Sequence, residues 1–267
     1  MSTKIRIGAL ISGTGTNLEA IVDACERGVI SGEVVFVGAD TPQAPGLGKS
    51  RQKGIPTFVV DYTAILRSYR KAPQQTAIPG DFDLDDVRLK QSLFGSDTDD
   101  RQLDAFLTGR AVAEAALLEK IRAYPCDLIV LAGFMRILTP YFIDRVRQRL
   151  GEWRIMNVHP ALLPAFAGTD GYGDTFRYGC KVAGCTVHFV DYGEDSGPII
   201  GQRAFQIEAE DTLTQVRRKG LAQEWELYPA CIQLFAEKRL ETVRMNVGRR
   251  DGRKRDRTVV RILPPAK

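Results

Sequence analysis

The chain has 267 residues, 44% of them hydrophobic and 26% charged, with a formal net charge of +4 at pH 7. That composition supplies one substantial core and excludes a membrane-spanning protein, since no apolar run approaches the ~18–20 residues a span requires. Cys25, Cys126, Cys180, Cys185 and Cys231 are scattered, odd in number and free of any C-x-x-C pair. Such usage predicts inert reduced thiols with no metal site, and Met1–Lys4 lack a signal-peptide layout, so a cytoplasmic protein is expected.

In chain order, residues 5–11 are dominated by apolar side chains and read as a buried parallel strand. A Ser-Gly-Thr-Gly-Thr-Asn turn follows, and residues 18–24 continue at helical spacing. Residues 33–39 repeat the strand pattern, 47–53 read as helix and 56–60 as a third short strand. From 66 to 108 the pattern fails: Gln-Gln, Pro-Gly and many aspartates, with one short helix near 85–93, predict a mobile insertion. Residues 110–124 are rich in strong helix formers and lead into a buried strand at 126–132. Strands are predicted again at 155–158, 181–190 and 198–203, and one or two amphipathic helices over 211–237. This alternation predicts an α/β fold, a doubly wound, mostly parallel sheet with a Rossmann-type N-terminal half. No linker divides it, so residues 1–244 read as one domain carrying the insertion.

Residues 245–267 read as a mobile basic tail, with Arg249, Arg250, Arg253, Lys254, Arg255, Arg257 and Arg261 close together. A basic tail can bind polyanions. No aromatic residues interleave with these charges to stack on bases, so the tail reads as solvated and nucleic acid is not the expected partner.

Three segments carry candidate chemistry. Gly13 and Gly15 sit before a helix start, where unpaired N–H groups and the helix dipole favour an anion. Leu18 stands where a dinucleotide fingerprint needs its third glycine, although Asp40 is placed for a ribose hydroxyl, and the P-loop lysine is missing. A lone phosphate is what remains. His159 follows Asn157 at a strand end, the carboxyl edge where α/β sheets bind ligands, whereas His188 lies within a strand and reads as a supporting residue. The acidic turn Asp191–Pro198 places Asp195 where a carboxylate could raise an imidazole pKa. Asn157, His159 and Asp195 together suit acyl transfer: an amide for an oxyanion, an imidazole for protons and a carboxylate to hold its charge. Each segment also has a plainer reading, as a geometric glycine turn, a core histidine and a hairpin.

The words themselves go further. Ile11–Leu18 (ISGTGTNL), Ala132–Leu138 (AGFMRIL), Asn157–Pro164 (NVHPALLP) and Gly184–Asp191 (GCTVHFVD) closely resemble the glycinamide ribonucleotide formyltransferase family. Asp195–Ile200 and Glu224–Pro229 extend the resemblance, which spans residues 5–240 apart from the insertion. It implies transfer of the formyl group of 10-formyltetrahydrofolate to the amine of glycinamide ribonucleotide, in purine biosynthesis, by direct attack without a metal. It further implies that Gly15, Thr16 and Asn17 cradle the substrate phosphate and that Glu224 reaches the same substrate. Met135, Arg136, Ile137 and Leu138 would contact the folate pterin together with the backbone from Asp191 to Asp195, and Arg110, at the start of a helix, would be the folate arginine. Asn157, His159 and Asp195 would be the catalytic trio.

The segment Ala165–Asp174 departs from the family pattern, its three glycines obscuring where the next helix starts, and the usual Ser-Asn after the second strand is missing at Ala39–Thr41. A formyltetrahydrofolate hydrolase would carry a further domain ahead of the first strand, and a methionyl-tRNA formyltransferase a C-terminal barrel larger than this tail. A formyltetrahydrofolate hydrolase and a non-catalytic nucleotide- or folate-binding protein of the same fold are the two alternatives that stay open. The expected partners are small molecules only, with monomer and homodimer both open.

Overall fold

The computed structural model describes residues 4–95, 97–248 and 254–265. Seven strands form one sheet: β1 (Ile5–Ile11), β2 (Gly32–Ala39), β3 (Thr57–Val59), β4 (Leu128–Leu131), β5 (Ile155–His159), β6 (Val182–Phe189) and β7 (Ile199–Gln206). Their order is β3-β2-β1-β4-β5-β6-β7, parallel through β5 and antiparallel across β6 and β7. The chain runs outward from β1 in one direction and from β4 in the other. Their carboxyl ends therefore diverge and leave a crevice, the position where such sheets bind ligands.

Both faces are covered, which explains the unbroken apolar strands. Ile7, Ala9 and Ile11 of β1 pack with α1 (Thr16–Glu26), α2 (Gly46–Gln52) and α8 (Leu213–Ala236), while Leu10 packs on the opposite face. That second face is closed by α3 (Tyr62–Lys71), α5 (Asp100–Arg122) and α6 (Pro140–Leu150). Tyr228 spans the first core, its hydroxyl donating to the Met156 carbonyl at 2.9 Å. Among the described residues no helix is long and apolar enough to cross a membrane.

Two expectations need correction. Residues 66–108 are not an irregular excursion. They contain the end of α3, a single 3₁₀ turn, α4 (Leu84–Lys90) and the first turns of α5. Asp83 and Asp99 cap these helices by accepting from the N–H groups of Asp86 and Gln102 at 3.0 Å. Leu103, Leu107 and Ala111, spaced by four, pack with Val87 and Tyr141 in a satellite core. The apolar residues are few but fall in helical register, and the aspartates are caps.

The basic tail is likewise a hairpin, β8 (Leu240–Gly248) paired antiparallel with β9 (Lys254–Ile262), and Val260 packs against the main core. Its β-branched residues, Thr242-Val243 and Thr258-Val259-Val260, are flanked by arginines that mask a strand pattern. Arg249, Arg250 and Arg253 lie outside the described residues. Three further helical features go beyond the sequence reading: α6 lies between Thr139-Pro140 and the positive-φ Gly151, α7 (Gly171–Arg177) forms despite its glycines, and the helical stretch read at 211–237 is one helix, α8, that continues through Pro229.

Candidate active site

His159 is the last residue of β5, and Asn157, two residues earlier, shares its side of the strand. The β5–β6 register sets Asn157 opposite His188. The turn after β6 brings Asp195 back over both. His159 Nδ1 lies 3.0 Å from Asp195 Oδ2, with His159 only 3% and Asp195 12% exposed. The other imidazole nitrogen, Nε2, lies 2.8 Å from the Phe166 carbonyl. A carboxylate and a carbonyl can only accept, so satisfying both requires protons on both nitrogens, and the ring is held as an imidazolium. Burial opposes that charge, but Asp195 and the Phe166 carbonyl outweigh it and raise the His159 pKa above its ordinary value. Burial also works against the Asp195 carboxylate. The hydrogen bond from His159, its charge and the Gly168 N–H at 3.0 Å overcome it and hold Asp195 well below the usual carboxylate range.

Asn157 Nδ2 donates to His188 Nε2 at 3.3 Å and meets Asp195 Oδ1 at 3.5 Å, the outer limit of a hydrogen bond. His188 Nδ1 in turn donates to the Phe189 carbonyl at 2.9 Å, which leaves Nε2 free to accept. The supporting role read from its place in the strand therefore has a concrete form. Phe166 and Asp195, which supply the two acceptors of His159, are both left-handed, at φ 53° and 49°. Such conformations cost ~1–3 kcal/mol each and persist where the surroundings impose them.

These groups line a cleft of about 570 Å³. At one end lie Asn17 and Glu224. Gly15 takes φ 73° as the N-cap of α1 and supplies no capping side chain, so the first-turn N–H groups of α1 have no side-chain partner at the cap. Asn17 Nδ2 donates to Glu224 Oε2 at 2.6 Å, Tyr172 donates to Glu224 Oε1 at 2.7 Å, and Asn17 Oδ1 is buried without a partner. Burial raises the Glu224 pKa against the pull of those two donors.

At the other end the segment Gly133–Leu138 forms the wall, with Met135 62% exposed. Its backbone is tied down: Met135 N–H donates to Ser12 Oγ at 2.8 Å, and the buried Glu114 accepts from Thr139 N–H at 2.8 Å and Thr139 Oγ1 at 2.6 Å. Burial, partly offset by these Thr139 bonds, pushes Glu114 up to about 8.

Arg110 lines the cleft from the middle of α5, not from a helix start, because the helix begins ten residues earlier than its composition suggested. Its guanidinium stacks over Phe106 and Tyr62, and Nη1 is buried without a partner. Burial lowers its pKa, opposed by Glu114. Ile137 and Leu138 line the cleft as expected, and Arg136 does so while paired with Asp40. Asp40 is thus engaged with an arginine and does not face a ribose site. The Asp191 carboxylate closes its own turn, accepting from Ser196 Oγ at 2.7 Å and Gly193 N–H at 3.2 Å, and Gly193 and Glu194 line the cleft in its place. Gly15 and Thr16 stand beside the cleft and do not line it. Sequence reasoning missed Tyr172, the Phe166 carbonyl and Glu114; the only available signal was a tyrosine flanked by glycines.

A second cavity, about 850 Å³, lies between the Asp191–Ile199 turn and β9 and touches Asp195, but no histidine and no Asn157 reach it. Among the described residues no group of His, Cys, Asp and Glu is arranged to hold a metal ion.

A family model described as formyl transferase matches residues 5–232, and the trio at the carboxyl edge of β5 falls inside it. The chain belongs to the formyl transferase family. Within this formyltransferase family it is 32% identical over 228 residues to the phosphoribosylglycinamide formyltransferase of Bacillus subtilis, covering 85% of this chain and 93% of that one. It is also 32% identical to the trifunctional purine biosynthetic protein adenosine-3 of Gallus gallus, over 88% of this chain and 19% of that longer protein. Among solved structures, glycinamide ribonucleotide transformylase 1 of Symbiobacterium toebii superposes with a TM-score of 0.71 at 36% identity, covering 99% of this chain and 96% of that one. The mostly parallel α/β sheet of this formyltransferase is shared with that solved structure.

Proposed function

We propose that the chain transfers the formyl group of 10-formyltetrahydrofolate to the primary amine of glycinamide ribonucleotide. The observation that carries this reading is the buried His159–Asp195 pair, 3.0 Å apart, at the middle of a cleft with a polar end and an apolar end. Glu224, Asn17 and the first-turn N–H groups of α1 suit a ribose phosphate. Met135–Leu138 offer an apolar wall for a pterin, and the unpartnered Arg110 nitrogen suits a carboxylate on the rest of the folate.

In this reading the amine nitrogen attacks the formyl carbon, forming a C–N bond while the carbonyl π pair moves to oxygen. The charged His159 and an Asn157 N–H stabilise that oxygen; the 3.5 Å contact to Asp195 is the weakest that Asn157 makes and the one free to turn. The bond from carbon to folate nitrogen then breaks, the amine gives up one proton and the leaving nitrogen gains one, with His159 as the relay. For that transfer the bond from His159 Nε2 to Phe166 must open, while Asp195 keeps Nδ1 and the ring orientation. Both co-substrates are small molecules, and the chain itself supplies every group used.

The test is release of tetrahydrofolate from 10-formyltetrahydrofolate with glycinamide ribonucleotide or with water as sole acceptor. Release only with the ribonucleotide, lost in His159→Ala, is the expected result. Equal release without an amine would instead establish a hydrolase, and binding of either ligand without release would establish a binding protein.

A further inference from the structure

Glu224 is held from two sides by residues of quite different origin. Asn17, at the start of α1, belongs to the glycine-rich turn after β1. Tyr172 belongs to α7, in a segment that departs from the family pattern. Tyr172 is 5% exposed and packs with Ala183 and Val216, while its hydroxyl emerges from that satellite core into the cleft. Its phenol is kept neutral, since burial and the neighbouring Glu224 both raise its pKa far above the ordinary value. A neutral phenol has a single proton, and here it is committed to Glu224 Oε1 at 2.7 Å. Both carboxylate oxygens are therefore fixed in plane, each with one lone pair still unspent.

The ring has room only because residue 220 is glycine. A Cβ there would collide with Tyr172 Cζ, Cε1 and the hydroxyl oxygen, each at 2.5 Å or less. Gly220 lies in the interior of α8, where glycine costs ~1 kcal/mol relative to alanine. Space for the Tyr172 ring is what this helix gains from it. Tyr172 and Gly220 thus form one device, a buried aromatic arm threaded past a helix to reach a carboxylate one turn further along.

We propose that Tyr172 is a positioning residue for the amine substrate, its hydroxyl holding Glu224 in the orientation that receives the hydroxyl donors of the ribonucleotide. This rests on the proposed function above and deepens it by adding a residue to the substrate end of the cleft. Tyr172 acts through Glu224 and not through His159, so its loss should appear in substrate binding alone. Without the phenol proton, Glu224 keeps Asn17 but can swing about that single contact, and the fixed geometry is lost.

The experiment compares wild type with Tyr172→Phe and Gly220→Ala in steady-state formyl transfer, varying ribonucleotide and 10-formyltetrahydrofolate separately. Thermal midpoints are recorded alongside. Tyr172→Phe should raise the KM for the ribonucleotide about ten- to a hundred-fold, the loss of one hydrogen bond to a charged group, with kcat and the folate KM within twofold. Gly220→Ala should give the same split, and the double variant should be no worse than either single one, because both remove the same contact. An unchanged ribonucleotide KM in Tyr172→Phe, or a fall in kcat with KM unchanged, overturns the proposal. Additive losses in the double variant overturn the coupling to Gly220. A wild type that neither formylates nor binds the ribonucleotide would sink the proposed function itself, and this inference with it; a normal wild type with an unaffected variant sinks only the inference.

Discussion

Replacing Asp195 with asparagine keeps the volume of the side chain and removes the charge that faces His159. In the structure that charge is 3.0 Å from Nδ1, both groups are largely buried, and the carboxylate also takes the Gly168 N–H. A hydrogen bond between charged partners in such a place is worth ~1.5–3 kcal/mol. The sign follows from the direction of each shift. His159 is raised, so its contribution to stability is complete below ~6.5, the ordinary imidazole value, and is lost as pH rises through the raised folded value. Asp195 is depressed, so its contribution is complete above ~3.9 and is lost as pH falls through its folded value. The pair is at full strength between those limits. In catalysis the imidazolium is the acid, so kcat/KM for the ribonucleotide should fall on the alkaline side as His159 deprotonates. Asp195→Asn should move that limb to lower pH and reduce kcat at its optimum by ~10²–10⁴, the range for loss of an oriented acid–base group. The assay is kcat/KM against pH for both proteins, with the imidazole resonances of His159 titrated in parallel by NMR. An alkaline limb at the wild-type position in Asp195→Asn, with the rate retained, would refute the argument that Asp195 holds the charge on His159.

Asn17→Ala should weaken ribonucleotide binding by ~1.5–3 kcal/mol, measured by calorimetry, because it removes a donor to Glu224 and an unpartnered acceptor in the cleft; a loss confined to turnover at saturation would contradict the placement. Glu114, pushed up to about 8, favours the folded state fully below ~4.3 and progressively less as pH rises towards 8. Glu114→Gln mimics the neutral acid, so its urea midpoint should be flatter than wild type between about pH 5 and pH 8, and an unaltered slope would show that Glu114 is not the titrating group. Leu107→Ala should cost ~2–5 kcal/mol in urea unfolding, since Leu107 is fully buried between α5, α4 and Tyr141. A change within error would mean that the 66–108 segment is not part of the cooperative core.

How much was legible follows from the range of each interaction. The period-2 and unbroken apolar runs mark β1, β2, β4, β5 and β6 because strand burial is written into neighbouring residues. The insertion failed that reading for a specific reason: Asp83 and Asp99 look like loop residues in isolation and are caps in the fold. The hairpin failed for another, since Val243, Val259 and Val260 are interleaved with arginines whose charge dominates any local average. At the site, Asn157, His159 and Asp195 could be named from their words in the chain. Tyr172 and Glu114 could not, as a tyrosine between glycines and a glutamate in an alanine-rich helix carry no local mark of function.

The sequence by itself determined the alternation of strands and helices, the carboxyl-edge position of Asn157 and His159, and the family resemblance. All of these are local in the chain. Tertiary structure alone decided that Asp195 closes on His159, that both imidazole nitrogens face acceptors, and that Asn17 and Tyr172, from distant parts of the chain, meet on Glu224. Asn17 and Glu224 are 207 residues apart, and no local pattern encodes a contact made only when β1 and α8 are brought together over one sheet. Charge state and hydrogen-bond pairing depend on burial, and burial exists only once both layers have packed.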